Sequence, residues 1–412
     1  MKFENYNFDE EIEKNILSLG FKKPTDIQFK CISNVLQGED ILAVAQTGTG
    51  KTIAFALPVI QRLNDKTSLT ASKPVRCIVM VPTHELAIQV TDVFNTLAKG
   101  TKVKCLGIFG GTDQDPQINT LKKGVDVVVA TPGRMFDLES QGHLSLKNIE
   151  ILILDEADHM LELGFKKDMD HLVRKLSKKR QTLFFSATIN KRVKELAYSL
   201  VYKAVRIQIS PKDPVSKNIT HSVAHINMDD KRFFLERIVN ENQGKKMLVF
   251  VRTKIRAERV KKAMDRVDIS SDTIHSDKSQ KERNAIMDSF KSGENLMLIA
   301  TDISARGIDV PSVDIVVNYD LPEEAENYVH RVGRTGRGRE KGLAVSFCSE
   351  EERGTLNVIE TFLQNKITVL EIEKADYEET IDLSTENPHD WKSLIEEAEA
   401  FENKIKKKKK KR

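Results

Sequence analysis

Cysteine is scarce in this sequence, and its few copies stand apart from one another. The 412 residues include four cysteines, Cys31, Cys77, Cys105 and Cys348, and none forms part of a C-x-x-C pair. That spacing excludes the common zinc-binding and dithiol redox motifs. We therefore expect the four side chains to be small, buried apolar groups.

Long hydrophobic runs are also missing. No stretch approaches the roughly 18 uncharged apolar residues of a transmembrane helix, and the first twenty residues carry five acids, unlike a secretory signal peptide. We expect a cytoplasmic protein that does not contact a membrane.

The chain has little net charge outside its end. The formal net charge is +4, and eight positive charges belong to residues 404–412, so the remainder carries −4. A polyanion would therefore meet a local basic arrangement in the body of the protein rather than a generally cationic surface. The lysine run is typical of a disordered solvated tail, or of a tether for nucleic acid that has no sequence preference.

Short apolar runs separated by helical or polar stretches recur between Ile41 and about Ile209, which predicts a mostly parallel α/β sheet. The segment 210–218 has two prolines and no periodicity, and it indicates a linker. The same alternation then restarts, and 254–267 has the period of a helix. We predict two α/β domains from this pattern, in agreement with the prior of about two to three domains for this length.

A phosphate-binding loop is indicated by AQTGTGKT at 45–52, between the apolar run 41–45 and a helical pattern. Gly48 and Gly50 allow backbone N–H groups to face phosphates, Lys51 can reach the β and γ oxygens, and Thr52 offers a hydroxyl to Mg²⁺. Ala45 occupies the position where the strict pattern has its first glycine, so the context of strand, loop and helix carries the assignment.

An acidic motif ends a second apolar run, EILILDEAD at 150–158. Asp155 would emerge at the carboxyl edge of a parallel sheet, where ligands bind, and we expect it to hold Mg²⁺ through water. Glu156 is the natural group to orient an attacking water. A solvated pair of acids is the ordinary alternative, but it fits poorly at the end of a buried strand.

The second domain has no phosphate loop of its own, which suggests that it contributes to the nucleotide of the first. Arg334 and Arg337 lie three residues apart in HRVGRTGR and could act as arginine fingers. Their spacing alone is equally compatible with a basic, solvated turn.

Taken together, the motifs resemble the DEAD-box family of ATP-dependent RNA helicases, in a compact form of bacterial type. The resemblance covers roughly the first 350 residues, and its ordered motifs are GFKKPTDIQ, AQTGTGKT, PTHELA, GG, TPGR, DEAD, SAT, VFVRT, ATDISARGIDV and HRVGRTGR. It implies two tandem RecA-like domains joined by a flexible linker. The expected boundaries are 1–209 for the first domain, 210–218 for the linker, 219–378 for the second domain and 379–412 for the tail.

The resemblance also implies roles for individual residues. ATP would be bound by Phe21 and Gln28 at the adenine, by Asp309 near the ribose, and by the phosphate loop residues Gln46, Thr47, Gly48, Thr49, Gly50, Lys51 and Thr52. Hydrolysis would be coupled to unwinding through Asp158, Ser186, Thr188 and His330. RNA would be bound by Pro82, Thr83, Gly110, Gly111, Thr131, Arg134, Gln280, Arg283, Thr301 and Gly307.

The activity implied is an RNA-stimulated ATPase that uses ATP and Mg²⁺ to unwind or remodel short RNA duplexes or RNA–protein complexes. The alternative is an ATP-gated RNA clamp or annealing scaffold with little net unwinding. We expect a monomer whose RNA contacts are largely independent of sequence, and ribosomal or RNA-degradation assemblies are candidate partners.

Two features are not accounted for by the motifs. His84 replaces the arginine that the family usually carries after PT, so a phosphate contact there is expected to be weaker or dependent on pH. Residues 391–401 place apolar side chains at helical spacing among acids. We expect this segment to pack on the second domain rather than to dock a partner.

Overall fold

The computed structural model of the protein describes residues 2–45, 48–65, 74–209, 215–302, 313–336 and 341–384. Within these ranges the chain forms two compact units, each built around a parallel sheet of seven strands. The predicted fold class, two mostly parallel α/β domains, is confirmed. None of the helices in the described ranges is both long enough and apolar enough to cross a membrane.

The first sheet contains every strand predicted for its part of the sequence. Its order across the sheet is β3-β4-β2-β5-β6-β1-β7, and all its ladders are parallel. The strands are β1 (Ile41–Ala45), β2 (Cys77–Met80), β3 (Cys105–Ile108), β4 (Val127–Ala130), β5 (Ile151–Leu154), β6 (Gln181–Ser186) and β7 (Val205–Ile209).

Helices cover both faces of this sheet, because side chains alternate across each strand and both sets are apolar. In β1, Ile41 and Ala43 enter one core, and Leu42 enters the other. The helices are α1 (Glu10–Ser18), α2 (Asp26–Gln37), α3 (Lys51–Asp65), α4 (His84–Leu97), α5 (Asp115–Lys122), α6 (Pro132–Ser140), α7 (Ala157–Glu162), α8 (Lys166–Lys175) and α9 (Lys191–Leu200). Helices α1 to α4 pack in the first core, and α5 to α9 pack in the second.

The second sheet has the order β10-β11-β9-β12-β13-β8-β14 and is also parallel throughout. Two of its strands, β8 and β14, were not predicted. The strands are β8 (Ile219–His225), β9 (Met247–Phe250), β10 (Asp272–Ile274), β11 (Met297–Ala300), β12 (Ile315–Asn318), β13 (Gly342–Cys348) and β14 (Thr368–Leu370).

The helices that follow β8 in the chain include the predicted helical segment that starts at Lys254. They are α10 (Lys231–Glu241), α11 (Lys254–Arg266), α12 (Gln280–Ser292), α13 (Ala325–Val332), α14 (Arg353–Leu363) and α15 (Lys374–Asp382). Local capping fixes several helix starts: Thr83 accepts from Leu86 N at 3.3 Å, and Asn190 accepts from Val193 N at 3.0 Å.

Candidate functional site

The phosphate loop runs from the end of β1 to the first residue of α3. Gly48 and Gly50 both have positive φ, of 81° and 90°, a region that favours glycine. Helix α3 begins at Lys51, so its N-terminal N–H groups face the loop. Gln46 and Thr47 lie outside the described residues.

Helix α2 is hydrogen-bonded to this loop by two side chains of its first turn. Thr25 Oγ1 donates to Thr49 O at 2.8 Å, and Gln28 Nε2 donates to Gly50 O at 3.2 Å. Gln28 Oε1 accepts from Thr25 N at 2.9 Å, which completes a capping box. Gln28 therefore holds the loop, and its amide still has one N–H available for a ligand. Phe21 is only partly buried, against the first core.

Lys51 is a buried cation with an unused ammonium group. The residue is 6% exposed, and its Nζ has no hydrogen-bond partner among the described residues. Asp155, 3% exposed, follows β5. Burial raises the pKa of its carboxyl to about 6, nearby Glu156 and Asp158 act in the same direction, and the charge of Lys51 opposes them. Thr52, next to Lys51, is partly exposed.

Glu156 has an uncommon backbone conformation for its residue type. Its φ and ψ are 51° and 49°, in the left-handed region, immediately before α7 begins. Its side chain is 15% exposed, and its Oε2 lies 3.5 Å from Nδ1 of the buried His159. The turn therefore places a carboxylate beside Asp155 at the strand end, at a conformational cost that a functional role would explain.

The acidic motif and the SAT motif are joined directly. Asp158 Oδ2 accepts from Ala187 N at 3.1 Å, from Thr188 N at 2.9 Å and from Thr188 Oγ1 at 3.1 Å. Ser186 is fully buried at the end of β6, and its hydroxyl has no partner among the described side chains and backbone.

The order of the strands explains how these motifs meet. The phosphate loop, the acidic motif and the SAT motif follow β1, β5 and β6, which are neighbours in the order β5-β6-β1. Since the strands are parallel, their carboxyl ends share one edge of the sheet, where ligands of α/β sheets bind.

The predicted RNA-binding residues of this unit follow the other three neighbouring strands, in the order β3-β4-β2. They are Gly110 and Gly111 after β3, Thr131 and Arg134 after β4, and Pro82 and Thr83 after β2. Arg134 Nη2 donates to Thr112 O at 2.9 Å, which links α6 to the loop of Gly110 and Gly111. The buried Nη1 of Arg134 has no partner among the described residues. The ring of His84 packs 5.8 Å from that of Phe109, beside Gly110.

The remaining candidates lie in the part of the chain that follows β8. Gln280 begins α12, Arg283 follows it in the first turn, and Thr301 follows β11. His330 lies in the last turn of α13, and Arg334, just beyond the helix, is 7% exposed. Gly307, Asp309 and Arg337 lie outside the described residues.

Comparisons of the sequence with known families agree with this organisation. Residues 25–196 match the profile of the DEAD/DEAH box helicases, and residues 230–339 match the helicase conserved C-terminal domain. The chain is 36% identical over 370 residues to the ATP-dependent RNA helicase CshA of Listeria monocytogenes, covering 90% of this chain and 70% of that protein. The chain belongs to the DEAD-box helicase family.

Another relative is the ATP-dependent RNA helicase RhlB of Shewanella piezotolerans, to which the chain is 38% identical over 372 residues. That alignment covers 89% of this chain and 85% of RhlB. Among solved structures, Dbp5 of S. cerevisiae bound to RNA and ADP BeF3 has a TM-score of 0.81 at 29% identity, covering 97% of this chain and 99% of that one.

Three residues of this DEAD-box helicase escaped the sequence analysis. Thr25 could have been found, because Thr-x-x-Gln before an apolar run is a capping-box pattern. His159 beside Glu156 gave no sequence signal. Arg331 makes a two-pronged ion pair with Asp302, Nε to Oδ1 at 2.5 Å and Nη2 to Oδ2 at 2.8 Å, and it also donates to Asp320 O at 2.6 Å. It therefore fixes α13 beside the strand end that carries Thr301.

Proposed function

We propose that the protein is an ATP-dependent RNA helicase, an RNA-stimulated ATPase that unwinds or remodels short RNA duplexes or RNA–protein complexes. The observation that carries this proposal is that two groups of motifs occupy separate halves of the same carboxyl edge of the first sheet. The ATP motifs follow β5, β6 and β1, and the RNA-binding positions follow β3, β4 and β2. Both ligands would contact the same rigid set of strand ends.

The phosphate loop and Lys51 fit a nucleotide triphosphate. The unused Nζ of Lys51 and the open left-handed position at Gly48, where an added Cβ would meet nothing within 4 Å, leave charge and space for phosphates. Phe21, Gln28 and Asp309 would recognise the nucleoside. Thr52 and Asp155 would hold Mg²⁺, which neutralises phosphate charge when bound.

We assign the orientation of the attacking water to Glu156. Its carboxylate lies next to the proposed Mg²⁺ position, and the neighbouring His159 restricts its side chain. Arg334 and Arg337 of the second domain would stabilise the transition state. Because arginine fingers contribute about 10³ to 10⁵ in rate, Arg334→Ala should lower turnover by at least about 10³ while ATP binding persists.

The proposed RNA contacts are mostly backbone groups, hydroxyls and a few placed charges, which bind the phosphate and sugar chain without reading bases. This agrees with a body of net negative charge. We propose that Gln280, Arg283, Thr301 and Gly307 supply corresponding contacts from the second domain, and that Asp158, Ser186, Thr188 and His330 transmit the state of the nucleotide.

The first test is ATP hydrolysis by the full chain without RNA, with a generic RNA and with DNA of the same sequence. Strong stimulation by RNA, lost in Glu156→Gln, is the expected result. A rate of ATP hydrolysis that is the same with and without RNA would refute the proposal. Duplex separation measured beside retention on single strands then distinguishes a helicase from a clamp with little unwinding.

The domain limits 1–209, 219–378 and 379–412 and the flexible linker 210–218 stay predictions, which limited proteolysis with mass mapping of the fragments would test. A monomeric state, a cytoplasmic location and partners in ribosomal or RNA-degradation assemblies are likewise proposals. Sedimentation of the purified chain and cell fractionation address the first two.

A further inference from the structure

One segment of the first unit is far more basic than the rest of the body. Residues 174–209 contain ten lysine or arginine residues and a single acid, Glu195. The formal net charge of the whole chain is only +4. None of the ATP-binding or RNA-binding positions assigned above uses these basic side chains, so their concentration has no role in the proposed site.

The basic side chains share helix α9 with exposed aromatic rings. Lys191, Lys194 and Tyr198 are three and four residues apart, so they lie on one face of the helix. Tyr202 and Lys203 follow just beyond the helix end. Tyr198 is 50% exposed and Tyr202 is 75% exposed. We call these five residues the tyrosine stripe.

Each ring of the tyrosine stripe lies near an ammonium group. Lys194 Nζ is 6.0 Å from the centroid of the Tyr198 ring, and Lys203 Nζ is 5.4 Å from that of Tyr202. These distances fall within the range of cation–π contacts. The stripe therefore repeats one unit twice, an aromatic face with a positive charge beside it.

The lysines of the stripe are available to an anionic ligand. Lys175, close by in sequence, is paired with Glu139 at 2.6 Å. In contrast, Lys191, Lys194 and Lys203 make no ion pair within the described part of the chain. Three unpaired charges along one stripe of side chains would attract phosphates.

The backbone beneath the stripe is fixed. Tyr202 N donates to Asp40 Oδ2 at 2.7 Å, and the other oxygen of Asp40 accepts from Thr182 N at 2.7 Å. Arg180 Nη2 donates to Leu200 O at 3.4 Å. Because the backbone at Tyr202 is already ordered, a base that stacks there would cost little additional chain entropy.

The stripe leads away from the proposed ATP site. Helix α9 starts just after the SAT motif, at the carboxyl edge of the sheet, and its ten residues span about 15 Å towards the opposite edge. Tyr202 lies there, since Asp40 comes directly before β1 and Lys203 shortly before β7. The two tyrosines are therefore separate from the strand ends that carry the ATP and RNA motifs.

We propose that the tyrosine stripe is an accessory binding surface for single-stranded RNA that extends beyond the RNA-binding positions at the carboxyl edge. Tyr198 and Tyr202 stack on unpaired bases, and Lys191, Lys194 and Lys203 hold the phosphates. Stacking on exposed rings favours single strands, because bases within a duplex do not present their faces. The inference rests on RNA being the substrate of the proposed function.

The test measures the affinity of the full-length protein, without nucleotide, for uridine oligonucleotides of increasing length. In the wild type, affinity should rise with oligonucleotide length until the RNA is long enough to contact the whole stripe. The Tyr198→Ala/Tyr202→Ala variant should lose at least about fivefold in affinity for long RNA and nothing for the shortest, because stacked bases contribute to binding individually. Tyr198→Trp/Tyr202→Trp keeps an aromatic face at both positions and should bind long RNA as tightly as the wild type.

Charge is tested separately. Lys194→Gln/Lys203→Gln should reduce the slope of log affinity against log salt by about 1.4 for long RNA, since each single-strand phosphate contact contributes about 0.7. Lys99→Gln/Lys102→Gln removes the same charge beside α4, which packs on the other sheet face, and should leave the slope unchanged. The lysine tail is the same in every variant, so it does not contribute to the differences.

RNA-stimulated ATP hydrolysis with saturating short RNA keeps the two proposals distinguishable. Normal stimulation with weakened long-RNA binding supports the stripe. Long-RNA binding that is unchanged in both the Tyr198→Ala/Tyr202→Ala and the Lys194→Gln/Lys203→Gln variants overturns it, and would leave a partner protein as the ligand of this face. Equal losses on short and long RNA also overturn it, because they place the effect in the RNA-binding positions at the carboxyl edge. Failure of RNA to stimulate the wild type refutes the proposed function itself.

Discussion

Thr188 donates two hydrogen bonds to one oxygen of Asp158, from its backbone N at 2.9 Å and from its hydroxyl at 3.1 Å. The bond from the hydroxyl depends on the side chain, whereas the bond from the backbone does not. A change at Thr188 can therefore weaken the link between the acidic motif and the SAT motif without removing it.

Thr188→Val should retain ATP hydrolysis and reduce unwinding. The substitution keeps the branched shape and removes one hydrogen bond to a charged acceptor, worth about 1.5 kcal/mol or roughly tenfold in an equilibrium. We expect about a tenfold lower number of duplexes opened per ATP hydrolysed, measured by parallel strand-displacement and phosphate-release assays. Thr188→Ser keeps the hydroxyl and serves as the control. Parallel losses of both activities in Thr188→Val would contradict the assigned coupling role.

Gly50→Ala should weaken ATP binding more than Gly48→Ala. Both residues have positive φ, so each alanine adds backbone strain of about 1–2 kcal/mol. A Cβ at Gly50 would also lie 2.5 Å from Gln28 Nε2, whereas one at Gly48 meets nothing within 4 Å. Binding of a fluorescent ATP analogue measures the difference. In a Gln28→Ala background the excess effect of Gly50→Ala should shrink, and full additivity would argue against the steric contact.

Arg331→Ala should destabilise the second unit by about 3–5 kcal/mol, because it leaves the carboxylate of Asp302 without its partner. Arg331 is 2% exposed, and its guanidinium also lies 5.0 Å from the ring centroid of Phe250. Differential scanning calorimetry should show one transition moving to lower temperature. Arg353→Ala, which removes a 60% exposed arginine that pairs with Glu350, should change little. Similar shifts in both variants would contradict the structural role of Arg331.

The cysteine thiols should react slowly with a thiol reagent at about pH 8. Burial raises the pKa of Cys31 to about 12 and that of Cys348 to about 11, and it also raises the pKa of Cys77 and Cys105. Since pH 8 lies well below these values, little thiolate is present in the folded protein. Guanidinium chloride should release all four thiols. A thiol that reacts rapidly in the native chain would show a local opening.

Replacing the eight basic residues of 404–412 by glutamine should flatten the salt dependence of RNA affinity. If all eight charges contact single-strand phosphates, the slope of log affinity against log salt falls by about 5 to 6. Filter binding at several salt concentrations measures it, and the substitution keeps the length of the chain. An unchanged slope would indicate a tail that stays in solvent.

The sequence predicted most of the fold because buried parallel strands are continuous apolar runs, as in CIVM of β2 and ILIL of β5. It did not reveal β8, where His221, Ser222 and His225 interrupt the pattern, or β14, whose three residues are exposed at the edge of the sheet. Both depend on pairing with distant strands, which local periodicity does not record.

For the candidate site, the motifs predicted which residues follow which strands, but not their contacts. The hydrogen bond from Gln28 to Gly50 and the ion pair between Arg331 and Asp302 join residues 22 and 29 positions apart. Such contacts arise only when a helix packs beside a loop or strand end that is distant from it in sequence. The positions of Gln46, Thr47, Gly307, Asp309 and Arg337 lie outside the described residues, so their assignments stay predictions.

The left-handed backbone at Glu156 lowers the stability of the fold at a position where the carboxylate is proposed to support ATP hydrolysis. Glycine adopts this conformation without the cost of about 1–2 kcal/mol that a side chain bears, and asparagine bears less of that cost than glutamate. A library of variants selected only for thermal stability should therefore enrich both replacements at this position, and each would remove the carboxylate. If Glu156 has the role proposed for it, variants stabilised at this position would fold better and hydrolyse ATP more slowly, and a screen for stability alone would select against activity.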